Sequence, residues 1–359
     1  MSSSKNLLDL SPEQFEALLE AASEPTYRAQ QVFEWIFRHL VTDFGDMSNL
    51  PAALREQLDH EYSILVAREL NRSVAADGTT KFLLQWPDGA TTETVMIPSQ
   101  DRRSGRPARR RRTVCLSTQV GCDVGCRFCA SGIGGAQRNL TVGEVIEQAL
   151  RVAQHLHEQG DRLSHVVFMG MGEPLANYDV TVAAVRHLNA AWGLGLAQRR
   201  VTVSTVGLPT QIERLSKEGL QTTLALSLHA PNEELRRELI PWANGVPLPR
   251  LLDACDTYFT ATGREITLEY CLLAATNDSP EHAAQLAAIA RRLHAHVNLL
   301  LYNPVEGLPF ERPSDFEAHD FLAALRRRGV NAHLRQSRGL ETEAACGQLR
   351  RRHDKGLEE

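Results

Sequence analysis

Short apolar, β-branched runs alternate with segments of helical period over the last two-thirds of the chain. Seven runs have the length of strands: 113–120, 164–171, 200–207, 222–229, 266–273, 296–303 and 330–336. Six segments between them repeat apolar residues at helical spacing: 142–159, 180–193, 208–218, 249–262, 280–294 and 315–328. Repeated β–α units predict an α/β fold with a parallel sheet and helices outside it. Six or seven units indicate a partial (β/α)6 barrel and not a closed barrel of eight.

The first hundred residues follow different patterns. Ser11-Pro12-Glu13-Gln14 has the capping residues of a helix N-terminus, and three amphipathic segments predict a small helical domain over residues 1–62. Residues 63–98 alternate apolar and polar positions around the Asp88-Gly89 turn, which predicts a β-hairpin extension. We therefore expect domains at 1–62, 63–108 (the extension and an Arg-rich loop) and 109–345 (the barrel), with a C-terminal segment at 346–359.

Charge and apolar runs limit the partners. A net charge of −5 disfavours indiscriminate binding to nucleic acid, although residues 101–112 carry seven arginines. We interpret that run as a disordered loop that is either simply solvated or in contact with phosphates; Arg326–Arg328 and Arg350–Arg352 are shorter clusters of the same kind. No apolar run approaches the roughly 20 residues that span a bilayer, and the N-terminus lacks the apolar core of a secretory signal. We expect a cytoplasmic protein without a membrane partner.

The seven cysteines are unevenly spaced. Cys115, Cys122, Cys126 and Cys129 lie close together, while three others are scattered. In a reducing cytosol this pattern favours a metal or redox site over a disulfide framework. Cys122, Cys126 and Cys129 begin where the first barrel strand is predicted to end, and no fourth Cys or His lies within this motif or directly beside it. Three thiolates suit an iron–sulfur cluster with one open iron, which the amino and carboxylate groups of S-adenosylmethionine can occupy. Zinc, which usually takes four protein ligands in structural sites, remains the alternative.

Unusual polar and glycine residues follow several of the predicted strands. They are Gly170-Met-Gly-Glu-Pro174, Ser204-Thr-Val-Gly207, Ser227-Leu-His229 and Asn303-Pro304. The carboxyl ends of parallel barrel strands meet at one face, where such folds carry their chemistry. We therefore expect the functional site at that face.

The cysteine spacing, with Phe128 before the third cysteine, resembles the radical S-adenosylmethionine superfamily. The Gly170-Met-Gly-Glu173 turn is similar to the superfamily's site for the methionine amino group. Longer segments, in the same order along nearly the whole chain, resemble the RlmN/Cfr family of RNA adenine methyltransferases. They are Tyr27-Arg-Ala-Gln-Gln, Asn139-Leu-Thr-Val-Gly-Glu144, Met169-Gly-Met-Gly-Glu-Pro174, Val203-Ser-Thr-Val-Gly207, Leu226-Ser-Leu-His-Ala230 and Ala344-Ala-Cys-Gly-Gln-Leu349.

This resemblance implies cofactors, partners and site residues. It implies a radical S-adenosylmethionine barrel with a [4Fe–4S] cluster on Cys122, Cys126 and Cys129. It implies S-adenosylmethionine bound by Gly172, Glu173, Ser204, Ser227, Leu228, His229 and Asn303. The implied substrate is 23S rRNA, with tRNA as a further one, bound in part by the N-terminal helical domain. A flavodoxin-type protein is the implied electron donor, and we expect a monomer.

The family chemistry assigns roles to three further residues. Carbon 2 of adenine is electron-poor, so a carbon radical can add where an electrophilic methyl group cannot be attached by simple displacement. By resemblance, Cys346 carries the methyl group and joins the RNA, and Cys115 then attacks the Cys346 sulfur and leaves a disulfide. Glu93 matches the residue that takes the proton from the modified carbon. The alternatives are that both cysteines are packing residues and that Glu93 is a solvated residue of the hairpin.

Several segments depart from the family pattern. Glu341 and Thr342 stand where an Asp-Ile pair is common, residues 241–247 are unusual, and an acidic residue often found after Cys271 is absent. We interpret Cys255 and Cys271 as packing residues. The preferred function is methylation at carbon 2 of an adenosine; methylation at carbon 8 and a non-catalytic iron–sulfur or zinc RNA-binding protein are the alternatives. The departures bear on substrate choice and leave the reaction class unchanged.

Overall fold

The N-terminal helical unit is built as its capping residues predict. The structure is a computed structural model that describes residues 5–101 and 109–349. Ser11 and Gln14 form a reciprocal capping box at the first helix, and Phe33 packs against Trp192 of the barrel with ring centroids 5.2 Å apart. The elements are β1 (Lys5–Asn6), α1 (Pro12–Ala21), α2 (Tyr27–Phe37), α3 (Ala52–Glu61) and β2 (Tyr62–Ser63), and β1 pairs with β2 in parallel.

The extension consists of antiparallel strands that continue into the barrel sheet. They are β3 (Arg68–Val74), β4 (Thr80–Gln85), β5 (Thr91–Asp101) and β6 (Arg109–Cys115). The prediction of a loop through residues 101–112 is wrong for its described part, because residues 109–112 pair with β5 out to Asp101. Arg112 forms an ion pair with Asp161 at 2.8 Å, so its charge is already matched within the protein. Residues 102–108 of that segment and the C-terminal residues 350–359, with Arg350–Arg352, lie outside the described residues.

The rest of the chain forms the predicted partial barrel. Its strands are β6 followed by β9 (His165–Phe168), β10 (Val201–Thr205), β11 (Thr223–Ser227), β12 (Thr267–Leu272), β13 (His296–Leu301) and β14 (Ala332–Arg335). Two further strands, β7 (Gln119–Gly121) and β8 (Ala136–Asn139), form a separate two-stranded sheet. Its helices are α4 (Val142–Glu158), α5 (Tyr178–Asn189), α6 (Pro209–Leu215), α7 (Glu233–Leu239), α8 (Leu248–Thr262), α9 (Pro280–Arg292) and α10 (Asp315–Arg327). All seven predicted strands and six predicted helices are confirmed; the short α7 and the β7–β8 pair were not predicted.

One mixed sheet runs through both the extension and the barrel. Its strand order is β14-β13-β12-β11-β10-β9-β6-β5-β4-β3, with parallel pairing from β6 to β14 and antiparallel pairing from β6 to β3. The parallel strands are mostly buried on both faces, as six buried residues in β12 illustrate. Their carboxyl ends meet at the face where the sequence places its unusual polar residues.

Candidate active site

The main cavity lies at the carboxyl ends of the barrel strands. It encloses about 1020 Å³, including its opening to solvent. Its walls come from the loop after β7, from the ends of β9 to β14 and from the C-terminal segment. The lining residues include Cys122, Cys126, Cys129, Gly172, Glu173, Ser204, Ser227, His229, Glu269, Arg335 and Cys346. Most of the predicted site residues therefore share one cavity.

The three-cysteine loop is held from outside by apolar packing. Cys122, Cys126 and Cys129 follow β7, and the Cys129 backbone N–H donates to the Cys126 carbonyl at 3.0 Å. Phe128 turns into an apolar cluster and meets the His229 ring edge to face, with centroids 5.0 Å apart. The Arg127 N–H donates to the Leu239 carbonyl at 3.0 Å, which ties the loop to the end of α7. These contacts attach the loop to the barrel through groups other than its three thiols.

The three thiols fit an iron–sulfur cluster better than a zinc ion. Within residues 5–101 and 109–349, no three His, Cys, Asp or Glu side chains are arranged to hold a single metal ion. In a four-iron cluster each cysteine binds its own iron, so the thiolates need only line one cavity, as these do. Burial raises the pKa of Cys122 to about 12 and also raises those of Cys126 and Cys129. Binding of the cluster must therefore displace their protons.

The glycines of the Gly170–Glu173 turn, which follows β9, are required by packing. A Cβ on Gly170 would lie 2.6 Å from the Ser117 hydroxyl and 2.7 Å from the Leu116 carbonyl oxygen. Gly172 has φ of +102°, and its Cβ would lie 2.7 Å from the Gln119 side chain. The turn presses directly on the segment between β6 and β7, so the glycine pattern has a structural cause besides any role in cofactor binding.

Glu173 is buried at the bottom of this turn. Its two carboxylate oxygens accept the backbone N–H groups of Leu175 at 3.0 Å and Val206 at 2.7 Å. Burial nevertheless raises its pKa to about 7. A carboxylate can accept about four hydrogen bonds, so capacity remains for an ammonium group in the cavity.

The other predicted cofactor residues fall into three groups. Ser204 and Ser227 share a hydrogen bond of 3.1 Å at the ends of β10 and β11 and line the cavity. His229 also lines it, accepts the Cys271 N–H on Nδ1 at 3.0 Å, and has a pKa lowered to about 3 by burial. Leu228 is buried and is not part of the cavity wall, and Asn303 instead donates to the Cys346 carbonyl at 3.0 Å.

The segment that carries Cys346 is attached on two sides. On the side of the three-cysteine loop, called the metal loop below, the Ala130 N–H donates to the Gly347 carbonyl at 2.8 Å, and the Ser131 hydroxyl donates to the Leu349 carbonyl at 2.7 Å. Toward the extension, its contacts are Ala76 N–H to the Glu341 carboxylate (3.3 Å), Gly339 N–H to Asp77 (3.2 Å) and Lys81 Nζ to the Glu343 carbonyl (3.3 Å). Glu341, one of the departures from the family pattern, is therefore a docking residue of this segment.

Cys115 and Cys346 line a second cavity together. Cys115 is buried on β6, whereas Cys346 is exposed at the cavity. Burial raises the pKa of the Cys115 thiol, and the Arg335 guanidinium opposes that rise. All seven cysteines, each within the described residues, are free, so the expected disulfide is absent from this structure. The pair is nonetheless placed in one pocket, as two exchanging thiols require.

Glu93 is buried, which contradicts the alternative of a solvated hairpin residue. Only 5% of it is exposed, and its carboxylate forms an ion pair with Lys81 at 2.7 Å. Glu93, Val95 and Ile97 share one face of β5, and Val95 and Ile97 line the second cavity. Glu93 thus lies on the face of the sheet that borders the two thiols.

Several residues of the site were not predicted. Glu269 and Arg335 line the main cavity from β12 and β14, and Arg236 is buried near Cys126, with its guanidinium bonded to the Val206 carbonyl. A charged residue inside an apolar strand is the signal that could have identified Glu269.

Cys255 is a core residue as expected, but Cys271, which was also expected to be a packing residue, lines the cavity. Pro241 packs near Gly125, so the unusual segment 241–247 borders the metal loop.

Comparison with known proteins gives two family matches. Residues 5–64 match the ribosomal RNA large subunit methyltransferase N-terminal domain, and residues 116–288 match the radical SAM superfamily. A probable dual-specificity RNA methyltransferase RlmN from Gloeobacter violaceus is 47% identical, over 96% of this chain and 95% of its own. The protein of the same name from Rhodopirellula baltica is 45% identical, over 96% of this chain and 91% of its own.

A solved structure matches over the same extent. The radical SAM methyltransferase from Sphaerobacter thermophilus superposes with a TM-score of 0.91 at 42% identity, covering 96% of this chain and 99% of that one. Within the part of the chain that the structure describes, we find no helix that is long and apolar enough to cross a membrane.

Proposed function

Because the chain belongs to the RlmN family of radical S-adenosylmethionine RNA methyltransferases, we propose that it methylates carbon 2 of an adenosine in 23S rRNA and of an adenosine in tRNA. The dual specificity in its relatives' names supports two RNA substrates. A [4Fe–4S] cluster and S-adenosylmethionine are the cofactors of this superfamily and of this chain. The alternative of a non-catalytic RNA-binding protein is wrong, because the match to RNA methyltransferases covers nearly the whole chain.

The observation that carries the proposal is the pairing of two free thiols beside the metal loop. Cys346 is exposed at a cavity that Cys115 also lines, and the residues next to Cys346 are bonded to Ala130 and Ser131, just after the third cysteine of the loop. An enzyme that moves a methyl group directly from cofactor to RNA needs neither thiol. Their arrangement supports a route in which the protein itself carries the carbon.

Cys346 is the residue that carries the carbon in this route. When bound, the cluster and S-adenosylmethionine supply the methyl group and the carbon radical that electron-poor carbon 2 requires. The Cys346 sulfur holds the one-carbon unit as a thioether and places it against the adenine, which becomes joined to the protein through a single methylene. Gly347, with φ of +83°, follows Cys346 and permits the tight turn that exposes this sulfur.

Cys115 and Glu93 complete the reaction. The Cys115 thiolate attacks the Cys346 sulfur, so that an S–S bond forms while the S–CH2 bond breaks, and the released carbon takes up a proton to become the methyl group. Before this attack, Glu93 accepts the proton that carbon 2 loses, and the one electron that the adduct radical gives up with it would return to the oxidised cluster. Each turnover leaves a disulfide that external thiols must reduce before the next turnover begins. We further propose that a flavodoxin-type protein donates the electron and that the enzyme acts as a cytoplasmic monomer.

The decisive experiment identifies the modified carbon. The protein is reconstituted anaerobically with iron and sulfide and is incubated with S-adenosylmethionine, a one-electron reductant and either 23S rRNA fragments or tRNA. Nuclease digestion and mass spectrometry against synthetic standards should give 2-methyladenosine from both RNAs. Formation of 8-methyladenosine would contradict the proposal at the level of regiochemistry, and the absence of any methylated adenosine would contradict it altogether.

A further inference from the structure

We propose that Lys81 is a positioning residue that holds Glu93 at a fixed place relative to the segment carrying Cys346. The proposal rests on the function proposed above, because it requires Glu93 to accept the proton from carbon 2. Lys81 lies on β4 in the extension, far from the cysteine motif in sequence and outside every motif that relates the chain to its family.

Strand register puts Lys81 in line with Cys115. Lys81 pairs with Val95, Val95 pairs with Cys115, and directly opposite residues of neighbouring strands extend to the same face of a sheet. Glu93 is two residues before Val95 on that same face. The backbone ladder therefore places Lys81, Glu93 and Cys115 on one surface without help from any loop.

The Lys81 ammonium group has two partners, the carboxylate of Glu93 and a carbonyl of the segment that carries Cys346. It forms an ion pair with the Glu93 carboxylate at 2.7 Å, with both side chains largely buried (12% and 7% exposed). It also donates to the Glu343 carbonyl at 3.3 Å, three residues before Cys346. Glu343 has φ of +51°, so the segment turns sharply at the residue that Lys81 binds. One ammonium group thus binds both the base and the chain that carries the substrate.

This geometry has a consequence for proton removal. A general base must come within about 2.6–3.2 Å of the heavy atom whose proton it accepts. Once the adenine is joined to Cys346, the distance from carbon 2 to Glu93 depends on how the Cys346 segment docks. A shared ammonium group keeps that distance constant, and its loss removes the ion pair that ties the buried Glu93 carboxylate to the Cys346 segment. Methylation of Cys346, which precedes RNA attachment, does not use Glu93.

The test compares Lys81→Met with Lys81→Arg, Asp77→Ala and Lys217→Met. Asp77 holds the same segment through a different group, the Gly339 N–H, and Lys217 is an exposed lysine that controls for the substitution itself. Three readouts are used: methyl-Cys346 by mass spectrometry, the rate of 2-methyladenosine formation, and the isotope effect with RNA deuterated at carbon 2. Thermal unfolding and iron content verify that each variant is folded and loaded.

Lys81→Met should keep wild-type methylation of Cys346 but lose about tenfold to hundredfold in product rate, as expected when a reacting group is misplaced by about 1 Å. Its isotope effect should exceed that of the wild type, because removal of the proton becomes limiting. Lys81→Arg should recover part of the rate, Asp77→Ala should lower it without changing the isotope effect, and Lys217→Met should change nothing. Adding Glu93→Gln to Lys81→Met should lower the rate no further than Glu93→Gln alone.

An unchanged isotope effect in Lys81→Met, or fully additive losses in the double variant, would overturn the role of Lys81. Equal losses of Cys346 methylation and of product would do the same, because they would indicate a docking role alone. A wild-type product methylated at carbon 8 would instead overturn the proposed function. The wild-type measurement therefore separates failure of the function from failure of Lys81's role.

Discussion

Replacing Gly170 with Ala tests whether the glycine turn is required by the fold or by the cofactor. The added Cβ would lie 2.6 Å from the Ser117 hydroxyl and 2.7 Å from the Leu116 carbonyl oxygen, closer than real Cβ atoms approach other atoms. The Ser117 hydroxyl already donates to the Glu93 carbonyl at 2.7 Å and accepts the Met171 N–H at 2.9 Å, so it cannot rotate away without losing both bonds. Overpacking of this kind costs about 1–3 kcal/mol, and each lost buried hydrogen bond adds about 1 kcal/mol.

A total of about 2–5 kcal/mol should lower the unfolding midpoint of the cofactor-free protein by about 3–7 °C, at roughly 1.3 °C for each kcal/mol in a chain of 359 residues. Gly245→Ala is the matched control, because nothing lies within 4 Å of its Cβ position and its φ is not positive. Both variants are melted by circular dichroism without cluster or S-adenosylmethionine, and binding of S-adenosylmethionine is then measured after reconstitution. If Gly170→Ala melted with the wild type and lost only cofactor binding, the packing explanation would be refuted.

Three further outcomes are expected. Cys126→Ala should lose the iron, the sulfide and the visible absorption of the reconstituted protein, whereas Cys255→Ala should keep them; an intact cluster in the first variant would contradict the ligand assignment. In cells, Cys115→Ala should run on denaturing gels as nuclease-sensitive, RNA-bound protein and Cys346→Ala as free protein, because the thioether does not hydrolyse; two free proteins would argue against the two-thiol route. Burial lowers the pKa of His187 to about 4, below the usual value near 6.5, so the folded state favours the neutral ring and stability falls as the pH drops from 6.5 toward 4, by up to about 3 kcal/mol. His187→Leu should lose less stability than the wild type between pH 7.5 and 4.5 in thermal melts, and equal losses would contradict the assignment.

Periodicity predicted the barrel because its strands and helices obey local rules. The six predicted helices occur within a few residues of their expected bounds, since each has an apolar face, and several have capping residues such as Thr141 and Ser314. Residues 109–112 were predicted wrongly because an arginine run has the composition of a loop. Pairing with the long strand β5 overrides that composition, and no local property of the run indicates the pairing.

The candidate site was likewise predictable from the sequence only where its residues are neighbours along the chain. The cysteine loop and the glycine turn are contiguous in sequence and could be found there, although the packing that requires Gly170 could not. Lys81 and Glu93 are twelve residues apart in an ordinary alternating pattern, and only the register of β4 and β5 brings them together. Arg335 and Glu269 are far apart in the chain, so their shared cavity depends on the strand order, which puts only β13 between β12 and β14.

The unbroken sheet from β3 to β14 also determines how the protein could be divided or redesigned. A fragment starting at residue 109 would resemble a complete barrel by composition, yet it would leave β6 with a row of unpaired N–H and C=O groups, a surface prone to aggregation. It would also discard Glu93. Insertion of one residue into β5 between Glu93 and Val95 would be nearly as damaging, because it would move the carboxylate to the opposite face of the sheet. Transplanting this chemistry into another scaffold therefore requires the extension and the barrel together, with their register intact.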